Sequence, residues 1–271
     1  MNNFLRLGEM KVNEILIRTQ QLTKRYGNIN VVDKLNLEVK SGEIYGFLGP
    51  NGAGKTTTIR MLCGLLDASE GEAYICGYNI AREAALAKGM MAYVPDQPKI
   101  YGKLTAREFL QLVAALYRMP KEAAQERAAQ LMAMFGLAER ADELLEGYSH
   151  GMRQKVVLAA ALIHQPRVIL LDEPTVGLDP ASARLLKDVL QEMARQGAAV
   201  FLSTHILEIA ERMCHRVGIL KEGKLIAQGS PAELRQMVGH GDESLEDIFL
   251  ELTGGHETAE LIRSLEEGNN Q

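Results

Sequence analysis

Residues Gly49, Pro50, Asn51, Gly52, Ala53, Gly54, Lys55, Thr56 and Thr57 have the spacing G-x-x-x-x-G-K-[ST], a pattern suited to holding phosphate. Glycines let the backbone curl with its N–H groups inward, and a helix starting at the loop adds partial positive charge. Lys55 then reaches β- and γ-phosphate oxygens, while the Thr56 hydroxyl is a ligand for Mg²⁺. A second group of reactive type is the acidic pair Asp172-Glu173, which ends the apolar run Val168-Ile169-Leu170-Leu171. An aspartate at that point downstream of a phosphate loop can hold Mg²⁺; a buried strand can also end in carboxylates for solvation alone.

The elements around these residues suit such chemistry. Ile44-Tyr45-Gly46-Phe47-Leu48 reads as a short buried strand feeding the loop, and residues 57–66 as the helix leaving it. Strand-like residues recur at 15–17, 35–39, 71–77 and 90–94, with Pro95 stopping the last. Residues 105–165 change character, becoming rich in Ala, Leu, Met, Arg and Glu at helical spacing. Thr105-Ala106-Arg107-Glu108 is a capping box that opens this helical block within a β-rich frame. Ser149 is a natural N-cap before a helix expected over 156–164. Ala198 to His205 is a further buried run, and Asp179 lies in a turn before a helix over 181–195. Residues 217–220 and 224–227 bracket Glu222-Gly223 as a hairpin, and Ser230-Pro231-Ala232-Glu233 opens another helix. A last amphipathic helix is expected over 244–252, with a frayed polar tail from 254 and a ragged start up to about residue 11.

Bulk properties narrow the class. The chain has 271 residues, 46% hydrophobic and 24% charged, with a formal charge of −5 that gives no reason to expect a nucleic-acid partner. Cys63, Cys76 and Cys214 lack metal-ligand spacing and read as buried reduced thiols. The longest apolar run, 156–163, is too short to cross a bilayer, and residues 1–8 lack the apolar core of a signal peptide. A membrane role therefore requires another chain. No N-K-x-D guanine motif is present.

In order and type, these motifs resemble the nucleotide-binding subunit of an ABC transporter, over about residues 15–252. The resemblance implies an α/β fold: a P-loop NTPase core of ABC ATPase type, with an antiparallel β subdomain and an inserted α-helical subdomain. It implies an ABC ATPase domain over 13–240, the helical insertion over 97–165, and a C-terminal helix and polar tail over 241–271. By the same resemblance, residues 49–57 are Walker A, residues 149–154 the signature, and Leu170-Leu171-Asp172-Glu173 Walker B. Glu173 is then the general base and His205 the switch histidine. Asp179 falls on the D-loop, and Tyr26 on the aromatic that stacks against adenine; taken alone, Tyr26 reads better as a solvent-facing turn tyrosine in a polar link than as a base-stacking residue.

Two departures from the family pattern stand out. The usual L-S-G-G-Q is Tyr148-Ser149-His150-Gly151-Met152 here, keeping the phosphate-touching Ser149 and Gly151, a form similar to subunits serving export-type permeases for drugs, ions, lipids or polysaccharides. At the Q-loop, Asp96 occupies the expected glutamine position and Gln97 follows one residue late, which leaves open which of them approaches Mg²⁺. The implied activity is ATP hydrolysis with Mg²⁺ by a head-to-tail pair of ATP-binding subunits (a homodimer or close paralogues). That pair would energise a separate transmembrane permease from the cytoplasmic face of the membrane. A soluble ABC ATPase acting on ribosomes or DNA is the alternative; it calls for a tandem ATPase, a coiled coil or a basic extension, and none is visible.

Overall fold

The computed structural model describes residues 13–97, 99–238 and 245–253. The expected ragged start, Ser244 and the tail from 254 lie outside the described residues. Strands β1 (Ile15–Tyr26) and β2 (Ile29–Lys40) form a long antiparallel hairpin. β3 (Ile44–Leu48) leads into helix α1 (Lys55–Leu62). β4 (Glu70–Ile75), β5 (Tyr78–Asn79), α2 (Ala84–Gly89) and β6 (Met91–Val94) follow. Next come three helices, α3 (Ala106–Leu116), α4 (Lys121–Met134) and α5 (His150–Leu162). β7 (Val168–Asp172), α6 (Pro180–Arg195), β8 (Ala199–Thr204) and α7 (Leu207–Met213) return to the frame. The hairpin β9 (Arg216–Lys221) and β10 (Lys224–Gly229) and helices α8 (Pro231–Val238) and α9 (Leu245–Thr253) close it.

The strands form two sheets. An antiparallel sheet runs β2-β1-β4-β5, and a mostly parallel one runs β10-β9-β3-β8-β7-β6. Because side chains alternate across a strand, each central strand feeds two apolar layers. From β3, β7 and β8, Tyr45, Phe47, Val168, Leu170, Ala199 and Phe201 pack with α1 and the antiparallel sheet. Their neighbours Ile44, Leu48, Ile169, Leu171, Val200 and Leu202 join α5, α6 and the other helices on the opposite face. Every residue of these three strands is buried, which accounts for their apolar runs, broken by polar side chains only at the C-terminal ends, Asp172 in β7 and Ser203 and Thr204 in β8.

Local chemistry decides the boundaries. α3 opens on the expected capping box, with Thr105 Oγ1 accepting from the Glu108 N–H and Glu108 accepting from the Thr105 N–H. α1 begins two residues earlier than its sequence pattern suggests. Gly54, at φ 107°, turns the chain so that Lys55 is already helical. α5 begins at His150 rather than 156, because Ser149 Oγ accepts from the Met152 N–H and caps the turn containing the signature. The polar link expected at Tyr26 is instead the end of a twelve-residue strand. Register shifts along β1 break the alternation that would have marked it as one strand. Helices α2 and α7 carry too few periodic residues to have been anticipated. At the other end, α9 buries Leu245 and Ile248 in the same apolar layer as α5 and α6.

The deepest contact in the frame is aromatic. Phe201 is fully buried, its ring centroid 5.7 Å from Tyr45 and 5.1 Å from Phe47. Phe201→Ala is expected to lower stability by about 3–5 kcal/mol, since neighbouring strands cannot collapse into the space. Urea unfolding followed by circular dichroism checks this, and a loss below about 1 kcal/mol would show that the sheets repack.

Candidate active site

Parallel strands put their C-terminal ends on one edge of the sheet, and the loop 49–54 leaves β3 there. Its glycines are needed for close approach. A Cβ at Gly49 would lie 2.5 Å from the Leu220 carbonyl oxygen, and one at Gly54 would lie 2.5 Å from that of Val31. No real side chain fits at either position, so the loop must be glycine where it crosses β2 and β9. Lys55 is buried in this cradle, donating from Nζ to the carbonyls of Gly49 at 2.6 Å and Pro50 at 3.2 Å. Burial pulls its pKa below the ordinary lysine value, while the nearby charges of Glu173 and Asp172 act in the opposite sense.

The carboxylates reach the loop through strand parity and register. Asp172 shares a face of β7 with Val168 and Leu170, the face turned toward α1. Register sets Asp172 opposite Ser203 on β8, and Ser203 Oγ donates to Asp172 Oδ1 at 2.5 Å. Asp172 is 1% exposed, and its Oδ2 is buried without a hydrogen-bond partner. Such an oxygen costs free energy unless something binds it.

The next residue, Glu173, has left-handed backbone at φ 48°, held by its N–H donating to the Ser203 carbonyl at 3.1 Å. That conformation costs a non-glycine residue about 1–2 kcal/mol and turns the side chain out of the strand direction. Glu173 Oε1 lies 2.9 Å from His205 Nδ1, and Oε2 accepts from the His205 N–H at 3.4 Å. His205 directly follows β8, so two adjacent strand ends supply the pair.

A cavity of about 310 Å³ gathers Lys55, Thr56, Asp172 and Glu173 with Asn51 and Gly52. Asp96 lines it too, whereas Gln97 does not; both line a neighbouring groove of about 820 Å³. Of the two open candidates at this loop, Asp96 is brought beside the phosphate loop and Gln97 is not. The oxygens of Thr56 and Asp96 and the bare Oδ2 of Asp172 fit a hard divalent cation. Among the described residues no group of three or more His, Cys, Asp or Glu side chains could hold a metal alone. A cation here therefore draws part of its shell from outside these side chains, from water or phosphate oxygens, as Mg²⁺ does.

The other expected site residues lie apart. Tyr26 is 53% exposed at the end of β1, with Lys24 Nζ 5.3 Å from its ring, and its hairpin partner β2 contributes Val31 to the cavity. No residue of 149–154 lines the cavity. Ser149 caps α5 at the surface, and Asp179 caps α6 by accepting from the Ser182 N–H at 2.9 Å. Hydrogen bonds from Ser182 hold the Asp179 carboxyl below the usual carboxylate range. Ser203 and Val31 escaped the sequence reading. Neither belongs to a motif, and only cross-strand register could have revealed Ser203.

Residues 32–176 match the sequence family described as ABC transporter. An uncharacterised ABC transporter ATP-binding protein of Bacillus subtilis is 42% identical over 78% of this chain and 68% of its own length. A linearmycin resistance ATP-binding protein of the same organism is 36% identical over 83% of this chain and 72% of its own. Among solved structures, a dimeric ATP-binding cassette in a post-hydrolysis state with ADP and phosphate superposes with TM-score 0.73. It is 28% identical and aligns over 79% of this chain and 98% of its own.

Ser203→Ala leaves a buried carboxylate oxygen of Asp172 without its donor. The expected loss of stability is about 1–3 kcal/mol, measured by chemical denaturation at neutral pH. An unchanged midpoint would mean that another donor satisfies Oδ1.

Proposed function

This chain belongs to the ABC transporter family and is an ATP-binding, ATP-hydrolysing transporter subunit, and from that premise we propose how its residues share the reaction. Lys55 and the backbone N–H groups of residues 51–57 hold the β- and γ-phosphates. Tyr26 stacks on the adenine. Thr56, Asp172 and Asp96 hold Mg²⁺, with the bare Oδ2 of Asp172 as the observation that supports this assignment. When bound, the ion offsets charge on the β- and γ-phosphate oxygens.

Glu173 acts as the general base. It takes a proton from the water that attacks the γ-phosphorus, while the bond to the bridging oxygen breaks and ADP leaves. His205, 2.9 Å from that carboxylate, orients it and steadies the γ-phosphate. The single observation carrying this reading is the Glu173–His205 pair, whose carboxylate lines the phosphate-loop cavity. Ser149, Gly151 and Asp179, which do not line their own subunit's cavity, serve the nucleotide of a partner subunit in a head-to-tail dimer. ATP binds the closed dimer better than the open one, so binding shifts the population to closed and hydrolysis releases it. A homodimer or a pair of close paralogues satisfies this geometry.

Among the described residues no helix is long and apolar enough to cross a membrane. We assign membrane passage to a separate permease and the working position of this chain to its cytoplasmic face. The 820 Å³ groove between β6 and the helical insertion suits a docking segment of that permease. Just outside it, Tyr101 is 65% exposed with its ring against Phe109, while Leu104 packs onto the core. Tyr101 is thus available for contact and Leu104 is not. The alternative of a soluble ATPase acting on ribosomes or DNA gains no support from the relatives.

Glu173→Gln keeps the shape of the site but removes the base, so hydrolysis is expected to fall by about 10²–10⁴-fold with ATP binding retained. ATP and Mg²⁺ then trap a dimer, detectable by size-exclusion chromatography with light scattering. A variant that turns over ATP normally would sink the base assignment.

Tyr101→Glu is expected to leave ATP affinity within about twofold and weaken permease capture by about tenfold or more, the scale of an interface anchor. Pull-down with the membrane subunit, run beside a nucleotide-binding assay, decides this. Unaltered capture would place the contact elsewhere.

A further inference from the structure

His150 stands where the usual signature has a glycine, and its ring has a definite neighbour. The first turn of α5 lies across residues 174–179, the stretch joining Glu173 to the α6 cap Asp179. Both residues are exposed, yet the edge of the His150 imidazole lies against Gly177 so closely that a Cβ at 177 would fall 2.5 Å from Cδ2 and 2.6 Å from Nε2. Gly177 has left-handed backbone at φ 78°. On the same helical turn, a Cβ at Gly151 would lie 3.7 Å from the Gly177 carbonyl oxygen. One helical turn further, Gln154 is 1% exposed and donates from Nε2 to the Pro174 carbonyl at 3.5 Å. Two side chains one turn apart on one helix thus touch one short loop, and the loop runs between the functional carboxylates of Glu173 and Asp179.

We propose that His150 is a positioning residue, a clamp that joins the signature turn to the 174–179 loop as one rigid block. The inference rests on the assigned roles of Ser149 and Glu173. Ser149 faces the partner's nucleotide, whereas Glu173 belongs to the subunit's own site. Locking the two together ties the geometry of one site to that of the other. A glycine at 150 would remove the side chain that lies against Gly177 and leave the loop tied to the helix chiefly through Gln154 and the Pro174 carbonyl. The side chain acts by shape, so its effect shows in turnover and not in the subunit's own grip on ATP.

The test is a double-mutant cycle on His150→Ala and Gly177→Ala, reading kcat, KM and ATP affinity of the isolated subunit. His150→Ala alone is expected to lower kcat by about tenfold and leave ATP affinity within about twofold, since small misplacements cost turnover before binding. Gly177→Ala alone is expected to lower kcat further, because its Cβ drives into the ring. The cost of left-handed alanine is present whether or not His150 is, so it cancels in the cycle. In the Gly177→Ala background His150→Ala should therefore raise kcat by about threefold or more, reversing its sign. Gly177→Asn carries the same Cβ and tolerates left-handed backbone, so it replaces Gly177→Ala should that variant fail to fold. Sign reversal with unchanged affinity supports the clamp. A harmless His150→Ala, additive effects in the cycle, or an equal fall in ATP affinity would each overturn it. Glu173→Gln measured alongside keeps the premise separate: if that variant turns over normally the base assignment fails, whatever the cycle gives.

Discussion

The site depends on the parallel register of β3, β8 and β7. β8 lies between the strand that feeds the phosphate loop and the strand that carries the acids. Pairing Asp172 with Ser203 fixes the buried carboxylate, and the residue just after β8 supplies His205 to Glu173. A slip of one residue in β7 would turn Asp172 into the helical layer and Leu171 toward the phosphate loop. The apolar residues on both faces of these strands resist that slip, since each would exchange layers at once. The core is thus an alignment device for the site as well as a source of stability.

Several arrangements at this edge are unfavourable by themselves. Asp172 carries a buried oxygen without a hydrogen-bond partner, Glu173 adopts a left-handed backbone, and Lys55 is buried against carbonyls. Each lies within the reach of a bound nucleotide and its cation, which supply partners that the fold withholds. Strain and unsatisfied polarity of this kind persist only where surrounding packing over-determines the geometry. Here that packing is the aromatic contact of Tyr45, Phe47 and Phe201 behind the loop.

A second feature is the use of helix caps as recognition elements. Ser149 and Asp179 each satisfy an N–H of the helix they open, which explains their residue types without any ligand. Both sit at the surface, away from their own subunit's cavity. The same caps leave other N–H groups of the first turn free to meet an anion from outside. Their structural and functional readings are therefore compatible, and in a dimer both apply.

How much of this was legible depended on whether the information was local. The phosphate loop, the apolar strand before it, the capping box at Thr105 and the acids ending β7 are contiguous patterns, and the sequence alone determined them. Their order along the chain was enough to identify the family and its architecture. The sequence left undecided which of Asp96 and Gln97 faces the phosphate loop, because neighbouring residues in an irregular link point in directions that only the packed backbone sets. Nor did it reveal Ser203 beneath Asp172 or His150 over Gly177. The first pair is 31 residues apart and meets only because the later strand inserts between the two earlier ones. The second brings an inserted helix onto a loop of the core. Spacing along a chain encodes periodicity within an element; which elements become neighbours, and in what register, is settled by burying all of their apolar faces together.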